Sequence, residues 1–152
     1  LGLGGLASTG GIVGFGSGAL LTSIAGLSIL LSPNAASFAF TSPISGNITG
    51  VSLTVSGGIT IVLGTISYNA TVWTSPANPT DNTFTSTTAT VTTNAVAPSL
   101  IAPNFVVQGV ASAFTPVPIV AGTRVLLVVR GISSLLSTTL GVGISGGITI
   151  TS

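Results

Sequence analysis

The side chains able to do chemistry in this chain are few. Arg124, Arg130 and Asp81 carry all of its side-chain charge over 152 residues, and Cys, His and Met are absent. Gly143-Ile144-Ser145-Gly146-Gly147 has the G-x-S-x-G form of a hydrolase nucleophile elbow, but with no imidazole in the chain the serine lacks its base. Gly141-Val142-Gly143-Ile144-Ser145-Gly146 has the G-x-G-x-x-G form of a dinucleotide loop, yet no helical sequence follows and no acidic residue lies downstream. Both matches are expected by chance in a chain with 21 glycines. A single acid rules out paired carboxylates, and without Lys there is no Schiff-base chemistry. Thiolate and imidazole ligands are missing as well, so no metal and no other cofactor is expected. These residues predict a protein that is not an enzyme.

Two arginines and a net charge of +1 cannot neutralise a run of phosphates, so nucleic acid is not an expected partner. Asn47-Ile48-Thr49 and Asn69-Ala70-Thr71 fit the N-glycosylation pattern, as such triplets often do in Thr-rich sequence. The three charges are more informative through their positions. Val125 to Val129 is a run of five large aliphatics between Arg124 and Arg130, which reads as a strand apolar on both faces. Leu126 and Val128 then share a face with the two arginines, and that face needs a cover. A neighbouring subunit is the expected cover, which makes Arg124, Leu126, Val128 and Arg130 candidate interface residues. The alternative is a loop of the same chain. Asp81, in the turn Asn78-Pro79-Thr80-Asp81-Asn82, is the only acidic side chain available. It is expected to pair with an arginine, Arg124 in the first instance, with backbone carbonyls as the substitute acceptors.

The elements that hold these residues are predicted to be strands. Thr, Val and Ile dominate while Glu, Lys, Gln and Met are scarce, and Gly, Pro and Asn clusters cut the chain into short runs at regular spacing. Val51, Leu53 and Val55 share one strand face, with Ile48, Gly50 and Ser52 on the other. Ile66, Tyr68, Ala70 and Val72 alternate with Ser67, Asn69, Thr71 and Trp73. Residues 85–93 read as a Thr-rich strand facing solvent, with Ala89 and Val91 as its apolar pair. The expectation is an all-β antiparallel sandwich in one domain over residues 23–152.

Mean hydropathy is high, at +0.91, so a membrane span has to be weighed. The best window, residues 12–31, is broken by Gly14, Gly16, Gly18 and Gly26 and has no flanking Lys or Arg, so no membrane span is expected. Charged residues make up 2% of the chain against about 25% in ordinary domains, and such low charge favours association. Residues 1–22 are Gly-rich and apolar without alternation. Leu3, Leu6, Ile12, Val13 and Phe15 are unusual in a solvated linker, and they suggest an extended arm that adds a strand to another subunit.

Four segments, GGLASTGGIVGFGSG, SFAFTSPISGNITGVSLTV, NPTDNTFTSTTATV and TPVPIVAGTRVLLVV, cover nearly the whole chain between them. Their order, with Phe38 and Phe40, the turn at Asn82 and the Gly-Thr-Arg strand at Gly122, resembles the C-terminal domain of the BclA/BclB-like collagen-like exosporium glycoproteins that coat Bacillus spores. The resemblance implies a tumour-necrosis-factor-like jelly roll forming homotrimers, with the strand 123–130 near the trimer interface and other spore-coat or exosporium proteins as partners. It also implies display on the outermost layer of the spore. One departure is that the Gly spacing upstream of Ser23 is irregular and cannot form a collagen helix, which needs Gly at every third position. The apolar arm is then expected to link trimers head to tail as an appendage fibre. An adhesive or receptor-binding head and a viral jelly-roll capsid or fibre protein are the alternatives.

Overall fold

The computed structural model describes residues 10–14, 17–21, 26–62, 64–97, 104–133 and 137–152. The runs of β-branched residues become strands and the Gly, Pro and Asn clusters become the breaks between them. In chain order the elements are β1 (Gly10–Gly14), β2 (Ser17–Leu21), β3 (Ser28–Leu30), α1 (Pro33–Ala36), β4 (Phe40–Thr41), β5 (Gly46–Val62) and β6 (Ile66–Ser75). They continue with β7 (Thr83–Thr92), β8 (Phe105–Ala111), β9 (Val117–Ile119), β10 (Arg124–Ser133) and β11 (Ser137–Thr151). The chain is all-β, with antiparallel pairing throughout. Sheet A runs β2-β1-β10-β6-β7-β3 with β4 also on β10, and sheet B runs β11-β5-β8 with β9 also on β5. No helix among the described residues is long and apolar enough to cross a membrane.

The two sheets enclose one core, an arrangement consistent with a β-sandwich. Ile66, Tyr68, Ala70 and Val72 of β6, with Val125, Leu127 and Val129 of β10, pack against Val51, Leu53 and Val55 of β5 and Phe105 and Val107 of β8. Tyr68 and Phe105 stack across it, with ring centroids 6.1 Å apart. Ile48 joins this core although simple alternation puts it on the opposite face from Val51. Gly50 pairs with Thr149 and Ile48 with Ile150, so Thr49 is an extra residue that shifts the register and turns Ile48 inward. Leu127 also needs room from sheet B. A Cβ at Gly146 would collide with its Cδ2, so the last glycine of the G-x-G-x-x-G match makes space for packing. The Thr-rich strand β7 faces solvent on one side only: Thr85, Thr88, Thr90 and Thr92 are exposed, whereas Ala89 and Val91 are buried in the core.

A second core lies on the outer face of sheet A. β3 pairs with β7, and β4 pairs on the far side of β10, so residues 31–39 must cross over β7, β6 and β10 to join them. This strap includes α1, where Pro33 takes the first turn and Ser32 caps it by accepting a hydrogen bond from the Ala35 N–H at 3.3 Å. Leu31 and Ala36 of the strap pack on Trp73, Phe84, Leu126 and Val128, with Ile29, Phe38 and Ala39 at the margin. Leu126 and Val128 are left 1% and 2% exposed. The cover expected from a neighbouring subunit is therefore supplied by the chain itself, and Leu126 and Val128 are not available to a trimer partner.

The expected arm is also corrected. β1 adds to the edge of β10 in the same chain, with Ile12 opposite Val128 and Val13 opposite Leu127, and β2 continues the sheet. β1 and β2 thus take part in sheet A with strands of the same chain. Leu3, Leu6 and Phe15 lie outside the described residues.

Candidate functional site

Each arginine of β10 ends up with a separate task on the outer face of sheet A. Arg124 opposes Ser75 of β6, beside the loop that joins β6 to β7. Its Nη1 donates to Asn82 Oδ1 at 2.8 Å, and its Nη2 donates to Ser75 Oγ at 2.9 Å and to the Asp81 carbonyl oxygen at 2.7 Å. Its Cζ stands 4.9 Å from the centre of the Phe84 ring, a cation–π contact that also seals one end of the second core. Nε is buried without an acceptor. Arg124 is therefore a clamp on the loop. The expected ion pair takes a different form, because Asp81 offers Arg124 its backbone carbonyl and not its carboxylate.

The Asp81 carboxylate instead caps the start of β7 by accepting the Thr83 N–H at 2.9 Å, and it is otherwise exposed. That bond, then the Thr83 hydroxyl and more remotely the Arg124 charge, hold its carboxyl below the ordinary carboxylate range. A group depressed in the folded state contributes stability above its unfolded pKa, and that contribution is lost as pH falls through the folded value. As Asp81 is the only acidic side chain, its carboxyl carbon can be followed by NMR without overlap from other acidic side chains. The expected titration midpoint lies below that of a free aspartate, and a midpoint at or above it would show that the Thr83 cap does not form.

Arg130 opposes Asn69 of β6, and its side chain makes no hydrogen bond or ion pair among the described residues. It lines a groove of about 280 Å³ beside the strap, with Trp73 and Val128 in the floor and Leu27, Ser86, Thr87 and Thr90 along the sides. The polar groups next to it are already matched with one another. Asn69 Nδ2 donates to Thr90 Oγ1, the Val91 carbonyl and Thr92 Oγ1, and Thr71 Oγ1 donates to Asn69 Oδ1 at 3.1 Å. The guanidinium is therefore the charged group in the groove, and it keeps unused hydrogen-bonding capacity.

Ser145 stands within β11, opposite Thr54, with neither the sharp strand-to-helix turn nor the helix that a nucleophile elbow or a dinucleotide loop requires. Sequence reasoning brings Arg124 to the Asp81 turn with backbone carbonyls as substitute acceptors, but it sets both arginines at one interface and misses the Arg130 groove. Their common face was legible from the spacing. The strap over that face was not, since a cover assembled from a distant segment leaves no local pattern. No protein-family model, no curated protein and no solved structure matches the chain.

Proposed function

We propose that this chain is a non-enzymatic structural subunit of the bacterial spore surface, assembling as trimers of a tumour-necrosis-factor-like jelly roll into an exosporium nap or a head-to-tail appendage fibre. The observation that carries this reading is a well-packed double core under a surface almost without charge. Leu27, Leu30, Ile44, Val106, Val110 and Val120 are exposed on it. The open edge of sheet B points the same way: β11 pairs with β5 alone among the described residues, and its fifteen residues include no charge and no proline to discourage strand addition. The nested pairing of β5 with β11 and β6 with β10 supports the jelly-roll assignment. With Leu126 and Val128 covered, the threefold contact falls on other surfaces, and the outward-facing Val106 and Val110 of β8 are the apolar candidates.

Native mass spectrometry and electron microscopy of the purified chain test the proposal. Three-copy particles that give filaments at higher concentration are expected, with antibodies to the chain decorating intact spores. A chain that stays monomeric throughout, or that closes into shells, overturns it.

A further inference from the structure

The geometry points to a charge-matched contact between copies of this chain, in which the Asp81 loop of one molecule enters the Arg130 groove of the next. The contact rests on the self-assembly proposed above. Of the three charged side chains, Arg124 is consumed inside its own molecule, which leaves one exposed carboxylate and one guanidinium unpartnered among the described residues. They cannot neutralise each other within a chain. Asp81 is held beside Arg124, and Arg130 lies six residues further along β10, about 20 Å away at the rise of a strand.

The two parts also fit in form. The loop 76–82 projects from the end of sheet A, with most of its residues exposed. It is stiffened by Pro76 and Pro79, by Asn78 at φ 53° and by the Arg124 clamp. A loop fixed before contact loses little entropy on docking. The groove presents the exposed Leu27, hydroxyls along its sides and an arginine whose planar donor fork suits a carboxylate. Loop and groove are different surfaces set apart along the same strand, so the contact is heterologous and propagates from copy to copy.

Sedimentation of the full-length chain, the D81N and R130Q variants and their double variant tests the contact. D81N keeps an oxygen to accept the Thr83 N–H, and circular dichroism checks that each variant is folded. We expect each single change to weaken self-association about tenfold and the double change to add little further, because both remove the same pair. R130K should recover part of the loss, and raising the salt concentration should weaken the wild type more than the variants. If the wild type assembles but neither single change weakens it, the contact is overturned while self-assembly stands. Additive losses in the double variant would likewise overturn it, and a wild type that never assembles overturns both.

Discussion

Replacing Phe84 with alanine is expected to cost about 3–5 kcal/mol of folding stability, the range for deleting a buried aromatic ring. Phe84 has no exposed surface and sits where the strap, β7 and β10 converge. Its ring meets Ile29 of β3, its partner in the register, and carries the Arg124 guanidinium on its face. Removing the ring opens a cavity under the strap and strips the cation of its aromatic partner, and α1 is too short to hold itself in place without that floor. Urea denaturation followed by the fluorescence of Trp73, the only tryptophan, reads the change at the second core itself. Phe84→Leu should recover more than half of the loss. A cost under about 1 kcal/mol would mean that the strap does not cover this face in solution, because an exposed surface position changes stability by no more than that. Were Leu126 and Val128 covered by a second molecule instead, the midpoint would rise with protein concentration, as it does whenever folding is linked to association. With the cover in the same chain, it stays constant.

The strand pattern was legible because alternation reports burial directly. Ile66, Tyr68, Ala70 and Val72 face the main core as their spacing predicts, and so do Val51, Leu53 and Val55. Ile48 escaped that logic because one added residue at Thr49 reverses the phase, and a bulge has no compositional mark in a Thr-rich strand. Trp73 stood in a row with Ser67, Asn69 and Thr71 and therefore looked like part of a polar face. It is 2% exposed, because a tertiary crossing by residues 31–39 covers that end of β6. The doubly apolar β10 announced the need for a cover without naming its source. Periodicity describes a strand's own faces, whereas the cover comes from a segment some ninety residues earlier, whose Leu31, Ala36 and Phe38 lie among Ser, Pro and Asn in no strand or helix repeat of useful length.

Arg124→Ala is the second large effect, expected at about 2–4 kcal/mol, since it removes hydrogen bonds made by a charged group and leaves their partners unsatisfied. Ser75 is 1% exposed and loses the donor that its hydroxyl accepts from, whereas Asp81 and Asn82 regain solvent as the loop swings away. Most of the cost should therefore sit at Ser75 and Phe84, and Arg124→Lys should restore less than half of it. A lysine ammonium is a single point of donation and cannot reach Ser75 Oγ, Asn82 Oδ1 and the Asp81 carbonyl together. Arg124→Met separates packing from hydrogen bonding: it keeps an apolar stem against Phe84 and also removes the Nε that the wild type buries without an acceptor. If the methionine variant matches the wild type in stability yet its Asp81 and Thr83 amides exchange faster, the clamp contributes little net folding energy and acts mainly to fix the shape of the 76–82 loop. In that case the same variant should weaken association between copies as strongly as D81N does, because a loop that must be ordered on docking pays the entropy that Arg124 removes beforehand.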